Sequence, residues 1–272
     1  MTHIITALHA EAKPIIRHFN LRKLENSNIF EAYTNSTHTI TLTISGIGKL
    51  ASAAAVIHTL NISPSSNIRS WLNIGIAGHK SLDLGTPVIA NKIIDNGTKQ
   101  TWFPQIVFKS RLLSLPIMTL DTATDQYPDD LMLDMESAGF YSSACKVATC
   151  ELAHCLKIIS DNEHTHYQEL NKNIIQSLIE NNIEEIARLI DSLKTLSLEI
   201  KEITYDENLF NKLTSIQHFT HSRKIQLKKI LTKWRILSPS TEPDINHIHK
   251  FKNAQEILDY LMFTLDKTSV SY

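Results

Sequence analysis

The sequence predicts an α/β fold in which a mixed, mostly parallel, twisted sheet is flanked by helices and followed by an all-helical C-terminal extension. Short apolar runs alternate with segments of helical apolar spacing, which is typical of strands joined by helices across both faces of a sheet. All seven glycines lie before residue 140, so tight turns belong to the first part of the chain. We therefore expect an α/β domain over residues 1–202 and a helical extension over residues 203–272.

Five strands and two helices are expected before residue 100. The strands are short apolar or alternating runs: Ile4–Leu8, Ile29–Asn35, Thr39–Ile44, Ser70–Ile74 and Pro87–Asp95. The first helix, Ala10–Phe19, tolerates Pro14 in its first turn, where a missing N–H breaks no hydrogen bond. The second helix, Lys49–Leu60, is rich in alanine, the strongest helix former. The stretch from Trp102 to Asp130 has no clear period and is expected to be irregular.

The second half of the chain is expected to be helical apart from one strand. A helix is predicted at Ser137–Ala148 and a buried strand at Ala153–Ser160. Apolar residues then recur at helical spacing from residue 166 to residue 198. Two further helices, Lys212–Leu237 and Ala254–Asp266, are expected on either side of the prolines at positions 239 and 243.

Composition excludes several classes of protein. Apolar residues make up 42% and charged residues 20% of the chain, which is typical of a packed globular core. The net charge of -1 gives no general attraction to nucleic acid or to a membrane surface. No segment has the pattern of a secretion signal, and no apolar run is long enough to span a bilayer. A cytoplasmic protein is therefore expected.

The cysteines and histidines do not indicate a metal site. Cys145, Cys150 and Cys155 are too few and too evenly spaced for a disulfide framework, and five-residue steps do not bring thiols onto one helix face. We interpret them as small buried hydrophobes in a reducing compartment. Two His-X-His pairs lack a further ligand at suitable spacing, namely His164 with His166 and His247 with His249.

Two carboxylates stand where a core is expected. Glu136 follows the apolar run that starts at Leu131, and Asp161 ends the apolar strand predicted at Ala153–Ser160. A carboxylate among core residues is costly unless it has a partner or a chemical role. The two positions are therefore candidates for binding hydroxyl groups and for donating a proton.

Two glycine-containing turns follow predicted strands. Ser45-Gly46-Ile47-Gly48-Lys49 precedes a helix, and Asn73-Ile74-Gly75-Ile76-Ala77-Gly78 follows a buried strand. Each alone is weak, since neither is a dinucleotide fingerprint or a phosphate-binding loop. In open α/β sheets, ligands bind beyond the carboxyl ends of the strands. Together the two turns predict one shared pocket mouth.

The order of these motifs is more specific than any one of them. The chain resembles the nucleoside phosphorylase superfamily in the order of five motifs. These are a strand followed by Ala10-Glu11, the two glycine turns, Asp134-Met135-Glu136-Ser137 and Ile159-Ser160-Asp161. Within this superfamily the chain is most similar to the methylthioadenosine/S-adenosylhomocysteine nucleosidases. The resemblance covers roughly residues 3–200 and is weak between residues 98 and 130.

The resemblance implies a role for each motif. Asp161 matches the general acid that protonates the leaving purine, and Ser160 matches the residue that orients it. Glu136 matches the carboxylate that binds the ribose hydroxyls, and Met135 matches the side chain packed against the sugar. Glu11 matches the carboxylate that activates the attacking water.

The resemblance also implies substrate contacts by Ile76, Ala77, Gly78 and Lys157. Two of these depart from the family, because nucleosidases usually have serine at position 76 and arginine at position 157. Phosphorylases of the superfamily bind phosphate with arginines, one of them at the position of Asn73. Without that cation a phosphate dianion is poorly held, so water is the favoured acceptor.

These implications predict hydrolysis of the N-glycosidic bond of a 5′-modified adenosine, in purine salvage and without a cofactor or metal. The favoured substrates are methylthioadenosine, adenosylhomocysteine and 5′-deoxyadenosine, and a homodimer or higher homo-oligomer is implied. A phosphorylase is one alternative. A catalytically weak nucleoside-binding or scaffold protein is another, because the segment between Asn96 and Asp134 is short and lacks the family's base-stacking phenylalanine. Tyr127, Phe103 and Trp102 are candidates to replace that ring.

The predicted extension contains a basic amphipathic helix over residues 220–236. Its basic residues share the helix with an apolar stripe: Arg223, Lys224, Lys228, Lys229, Lys233 and Arg235. Such a pattern is most often a solvated face over a packed stripe. Contact with nucleic acid or an acidic protein is the alternative.

Overall fold

One large sheet organises the first of the two compact units into which the chain divides, Met1–Ser197 and Leu198–Tyr272. The computed structural model describes residues 1–25, 27–64 and 68–269. The strands in chain order are β1 (Thr2–Thr6), β2 (Arg22–Lys23), β3 (Glu31–Thr34), β4 (Ile40–Ile44), β5 (Ser70–Gly78), β6 (Pro87–Asp95), β7 (Thr101–Trp102), β8 (Leu113–Thr119), β9 (Met132–Asp134) and β10 (Ala153–Asp161).

The sheet is mixed, and its long central pairings are parallel. The strand order is β10-β6-β8-β9-β5-β1-β4-β3-β2, with β7 beside β6. Strand β10 also pairs with β5, so that β5, β9, β8, β6 and β10 form a closed ring. Parallel pairing joins β1 to β4 and β5, β5 to β10, and β8 to β6 and β9. The antiparallel pairings of the described strands span four residue pairs or fewer.

Five helices accompany the sheet: α1 (His9–His18), α2 (Lys49–Ile62), α3 (Ser137–Val147), α4 (Lys172–Asn181) and α5 (Ile183–Ile203). Two 3₁₀ turns lie at Cys150–Leu152 and Tyr167–Glu169. The core between helices and sheet includes fully buried Trp71, Phe140 and Tyr141. The predicted α/β fold class is thus confirmed. None of the helices in the described part of the chain is long and apolar enough to cross a membrane.

Parallel pairing brings the predicted site motifs to one edge of the sheet. In register, Thr6 of β1 lies beside Ile44 of β4, and Ile5 lies beside Asn73 of β5. On the other side of β5, Ala77 lies beside Ile159 of β10. The turns that follow these strands therefore leave the sheet close together, as the prediction of a shared pocket mouth requires.

Two element predictions are wrong. The segment from Trp102 to Asp130 is not irregular throughout, because it contains β8, which pairs in parallel with β6. The strand could not be recognised from its sequence pattern, because proline is rare inside strands and Pro116 lies in the middle of β8. The helix predicted over Lys212–Leu237 is two helices, because the chain is extended at Gln217 and Thr220 caps a new helix by accepting from the N–H of Arg223.

The second unit contains four helices, counting those in the described residues: α6 (Glu207–Ile216), α7 (His221–Leu237), α8 (Ile245–Ile248) and α9 (Ala254–Ser269). Their core is apolar and includes Leu213, Leu227, Trp234, Ile257 and Leu261. The division between the units falls near the end of α5, and the predicted boundary at residue 202 lies in the same helix. The predicted helical extension is observed.

Lys228 and Arg235 of α7 have partners within the second unit. The Nζ of Lys228 lies 5.4 Å from the ring centre of Tyr205 and 5.2 Å from that of Phe210. The Nε of Arg235 donates to the carbonyl of Glu202 at 2.8 Å. The apolar stripe of α7 is buried, as expected for a solvated basic face over a packed core. A nucleic-acid or protein partner stays a prediction.

Helices α2 and α3 cross in close contact at Gly139. A Cβ at this position would lie 1.8 Å from the carbonyl oxygen of Lys49 and 2.5 Å from its carbonyl carbon. Because the neighbour is backbone, no side-chain rotation can relieve the overlap. Gly139 therefore sets the distance between the helix that follows Gly48 and the helix that follows Glu136.

Gly139→Ala is expected to lower the free energy of unfolding by about 2–3 kcal/mol, because the two helices must separate. Urea denaturation followed by circular dichroism measures the change. Gly97→Ala is the matched control, since its Cβ would meet only side-chain ends, the nearest being the Nζ of Lys49 at 3.1 Å. Equal stability losses in the two variants would show that the helix contact is not rigid.

Candidate active site

A cavity of about 250 Å³ opens at the carboxyl ends of β1, β5, β9 and β10. Three predicted catalytic carboxylates line it: Glu11, Glu136 and Asp161. Five of the six predicted substrate-binding residues also line it: Met135, Ser160, Ile76, Ala77 and Gly78. Segments that are far apart in sequence thus meet around one space of small-molecule size.

Glu11 is held by backbone N–H groups. Its Oε2 accepts hydrogen bonds from the N–H of Ala7 at 2.9 Å and of Leu8 at 2.8 Å, and its Oε1 accepts from the N–H of Ile76 at 3.0 Å. The side chain is buried. Burial raises the pKa of Glu11, although the charge of Lys157 and the three N–H donors oppose the rise. Because only the backbone of Ile76 is used, this contact does not depend on the side chain at position 76.

Two glycines of β5 make room for the carboxylates. A Cβ at Gly75 would lie 2.8 Å from the Oε1 of Glu11, and a Cβ at Gly78 would lie 2.5 Å from the Oδ2 of Asp161. Both glycines lie within β5 and not in a turn. Their effect is steric, since they let a carboxylate approach the strand.

Glu136 is the second buried carboxylate. Its Oε1 accepts a hydrogen bond from the N–H of Gly48 at 2.9 Å, in a turn where Gly48 has a φ of 106° that favours glycine. Its Oε2 lies 3.9 Å from the Nζ of Lys157. Burial raises the pKa of Glu136 to about 7; Lys157 opposes this rise and the negative charge of Asp134 adds to it.

Lys157 lies beneath the cavity and does not line it. Its side chain is 1% exposed, and its Nζ lies 2.9 Å from the Oδ2 of Asp134, whose side chain is fully buried. Burial works to lower the pKa of Lys157, but the charges of Asp134 and Glu136 outweigh it and raise the pKa. Lys157 was expected to contact the substrate, but its side chain is not among those that line the cavity. Lys157 is instead the counter-ion of the buried carboxylates.

Asp134 is a central residue whose role the sequence analysis did not identify. Its Oδ2 accepts from the N–H of Ser137 at 2.8 Å and from the Ser137 hydroxyl at 2.6 Å, so it caps the start of α3. Its Oδ1 accepts from the Thr119 hydroxyl at 2.8 Å. Although burial works to raise it, Lys157 and these hydrogen bonds hold the pKa of Asp134 below its usual value. The signal in the sequence was an Asp three residues before a predicted helix start.

Asp161 accepts one hydrogen bond on each carboxylate oxygen. The Ser160 hydroxyl donates to Oδ1, and the Tyr127 hydroxyl donates to Oδ2 at 2.6 Å. The Asp161 side chain lines the cavity and is largely buried. The carboxyl plane is thus fixed from two sides. Burial and the neighbouring Asp161 charge raise the pKa of Tyr127, so its hydroxyl remains a donor at neutral pH.

The rest of the cavity wall is mainly apolar. Leu8, Ile47, Leu120, Leu133 and Met135 contribute to it from the first part of the chain. Three further residues that the sequence analysis missed come from the segment after β10, namely Tyr167, Leu170 and Ile175. Their helical spacing gave no sign that they face a ligand space.

The three aromatic candidates for the missing ring are in different places. Tyr127 contacts Asp161, as described above. Phe103 is 65% exposed and lies under the Nζ of Lys92, and Trp102 packs against the hydrophobic core. Tyr127 does not line the cavity itself, but it donates a hydrogen bond to Asp161, which does.

The charges around the cavity are predominantly negative. In the described parts of the chain, none of the side chains that line the cavity is lysine, arginine or histidine. Four acidic residues line it, and the one buried cation below them is Lys157, paired with Asp134. Within residues 1–25, 27–64 and 68–269, no group of three or more His, Cys, Asp or Glu side chains is placed to hold a metal ion. The site can therefore stabilise positive charge and move protons.

The fold is similar to that of solved nucleosidases. The 5′-methylthioadenosine nucleosidase of Arabidopsis thaliana aligns with a TM-score of 0.57 at 14% identity, over 70% of this chain and 95% of that one. The 5′-methylthioadenosine/S-adenosylhomocysteine nucleosidase of S. pneumoniae, solved with a transition-state inhibitor, gives 0.55 at 19% identity, over 71% and 99%. Futalosine hydrolase of Helicobacter pylori gives 0.52 at 15% identity, over 70% and 97%.

These similarities confirm the fold that the motif resemblance implied. No protein-family model matches the sequence, and none of the curated protein sequences matches it either. The aligned share of the solved chains is nearly complete, whereas about 30% of this chain lies outside the alignment.

The raised pKa of Glu136 predicts a pH-dependent stability. Between its ordinary value of 4.5 and about 7, folded Glu136 holds a proton that the unfolded chain has released. This group's contribution to the free energy of unfolding therefore falls as the pH rises through that window. Glu136→Gln removes the titration. We expect the variant to gain roughly 1–3 kcal/mol relative to the parent between about pH 5 and about pH 8.

Urea denaturation of both proteins across this pH range measures the difference. Glu184→Gln is the matched control, because Glu184 is exposed on α5. Its difference from the parent is expected to stay constant with pH. A constant difference for Glu136→Gln as well would contradict the raised pKa.

Proposed function

We propose that the protein hydrolyses the N-glycosidic bond of a purine nucleoside. One observation carries the proposal: Glu11, Glu136 and Asp161 line a single cavity, each in a different hydrogen-bonding environment. The similarity in fold to solved nucleosidases supports it. The reaction needs one group that donates a proton to the base, one that stabilises the positive charge developing on the ribose, and one that accepts a proton from water.

Asp161 is the proposed general acid. Its proton passes to N7 of the purine as the bond between C1′ and N9 breaks, so that the base leaves neutral. Ser160 and Tyr127 orient the carboxyl group by donating to its two oxygens. A fixed orientation matters because proton transfer requires a short, aligned contact with the ring nitrogen.

Glu136 is the proposed ribose-binding group. Its Oε1 is engaged by Gly48, whereas its Oε2 has only the Nζ of Lys157 at 3.9 Å, which leaves that oxygen able to accept from ribose hydroxyls. Departure of the base leaves an oxocarbenium-like ribose, and the excess of carboxylates around the cavity stabilises its positive charge.

Glu11 is the proposed base for the attacking water. The water oxygen forms a bond to C1′, and its proton passes to Glu11. Burial raises the pKa of Glu11, which makes its carboxylate a better proton acceptor. Proton balance is kept, because the base carries the proton from Asp161 and Glu11 holds the proton from water. Before the next cycle Glu11 releases its proton to solvent and Asp161 takes one up.

Water is favoured over phosphate as the acceptor. A phosphate dianion would enter a cavity whose described lining contains four acidic residues and no cationic side chain. The side chain of Asn73 donates to the carbonyl of Ile5 at 3.1 Å, so it is engaged within the sheet. A 5′-phosphate on the substrate would meet the same repulsion. A neutral 5′ group therefore fits best, as in methylthioadenosine or 5′-deoxyadenosine, with adenosylhomocysteine as a further candidate.

The base-release assay tests the function directly. Purified protein is incubated with methylthioadenosine, adenosylhomocysteine, 5′-deoxyadenosine, adenosine and inosine, each with and without phosphate, and free base is measured. We expect release without phosphate from at least one 5′-modified adenosine. Asp161→Asn is expected to lower kcat/KM by at least about 100-fold, because an amide cannot supply the acid's proton.

Asp191→Asn is the matched control, because Asp191 is exposed on α5, and its activity is expected to equal that of the parent. Release that requires phosphate would identify a phosphorylase and overturn the electrostatic argument. Failure of every substrate, with nucleoside binding retained, would favour the catalytically weak binding or scaffold protein.

Tyr127→Phe tests how Asp161 is oriented. The substitution keeps the ring and removes the hydroxyl that donates to Oδ2. We expect kcat to fall about 5-fold with KM little changed, which corresponds to the loss of one hydrogen bond in the transition state. Tyr33→Phe is a matched control, since the Tyr33 hydroxyl donates to Glu31 at 2.8 Å outside the cavity. An unchanged kcat for Tyr127→Phe would remove Tyr127 from the mechanism.

A further inference from the structure

Cys145 and Cys150 contact each other through their sulfur atoms, which lie 3.1 Å apart. Their five-residue spacing predicted no common helix face. That prediction assumed one continuous helix, whereas α3 ends at Val147 and the chain turns into the 3₁₀ turn Cys150–Leu152. The turn returns Cys150 to the last turn of α3. The expectation of small buried hydrophobes holds for Cys155, whereas Cys145 and Cys150 are only partly buried.

The two thiols are more accessible than the third. Cys145 and Cys150 are each half-buried, whereas Cys155 lies in β10 and is fully buried. Burial and the neighbouring Cys150 raise the pKa of Cys145 to about 12, so Cys145 is a thiol at neutral pH. Because the raised pKa keeps Cys145 protonated, Cys145 is a poor first nucleophile.

We propose that Cys145 and Cys150 form a redox-active dithiol that oxidises to an intramolecular disulfide by exchange with a low-molecular-weight disulfide. The required movement is small. A disulfide bond is about 2.0 Å long, so the sulfur atoms must approach by roughly 1 Å. Cys145 lies in the last turn of α3, and Cys150 begins the 3₁₀ turn that follows it.

The exchange balances with glutathione disulfide as the oxidant. The Cys150 thiolate attacks one glutathione sulfur, which forms a mixed disulfide and releases one glutathione thiolate. Cys145 then attacks the Cys150 sulfur and expels the second glutathione. The protein loses two protons and two electrons, and glutathione disulfide becomes two glutathione molecules. The second step is intramolecular, so proximity compensates for the high pKa of Cys145.

The position of the pair connects it to the cavity. Helix α3 begins directly after Glu136, and β10 ends at Asp161. The dithiol lies in the turn that joins the far ends of these two elements. A disulfide there would restrict that turn, and we expect the thermal midpoint to rise by a few degrees.

Intact mass and peptide mapping test the proposal. The full chain is equilibrated in buffers with different ratios of reduced to oxidised glutathione, quenched with acid and alkylated. We expect a species lighter by two hydrogens in which only Cys155 is alkylated after unfolding. Trypsin cleaves after Lys146, which lies between the two cysteines, so the disulfide joins two tryptic peptides.

Single substitutions separate the steps. Cys155→Ser is expected to oxidise like the parent. Cys145→Ser is expected to stop at a lasting glutathione adduct on Cys150, and Cys150→Ser to leave Cys145 unmodified. Three alkylatable thiols at every ratio, separate adducts on both cysteines, or a disulfide that forms only in urea would each overturn the proposal. None of these results depends on nucleosidase activity.

Discussion

Lys157 is the buried charge on which the arrangement of the site depends. Its Nζ pairs with Asp134 at 2.9 Å and lies 3.9 Å from Glu136, and its charge also acts on Glu11. Asp134 in turn caps α3, so the helix that follows Glu136 is anchored through the same cation. An uncompensated carboxylate in such a place would cost several kcal/mol. The lysine thus lets the fold keep a group of acids at the end of its central strands.

Backbone groups then fix where each acid points. Glu11 is held by three N–H donors and Glu136 by one. Three of these donors lie beyond strand ends, and the fourth, Ile76, lies near the end of β5. Glycine supplies the space, since a Cβ at Gly75 or Gly78 would overlap the carboxylates. The acids are therefore oriented by parts of the chain that cannot rotate away. Such rigidity is what a site needs when it acts through charge and proton transfer.

Most of the fold could be predicted from the sequence, because strands, helices and glycine turns leave local patterns. The sequence also predicted which candidate residues would meet in one cavity. The order of Glu11, Glu136 and Asp161 along the chain carried enough information to place them in one cavity. What it could not give depends on contacts between distant segments. Strand β8 is stabilised by β6 and β9 more than by its own pattern. The hydrogen bond from Tyr127 to Asp161, and the meeting of Cys145 with Cys150 after the helix ends, are likewise tertiary.

The charge of the cavity links binding, chemistry and pH. Four acids over one buried lysine repel anions and attract a cation, which is the sign that a ribose develops as its base leaves. The same excess of negative charge contributes to the raised pKa of Glu136, after burial itself. Near pH 7 the site therefore has two charge states, which differ by the proton on Glu136. The more negative state stabilises the cation better. Under the proposed function, bound ribose hydroxyls would favour it by donating to the carboxylate, so the sugar of the substrate would prepare the site for the reaction.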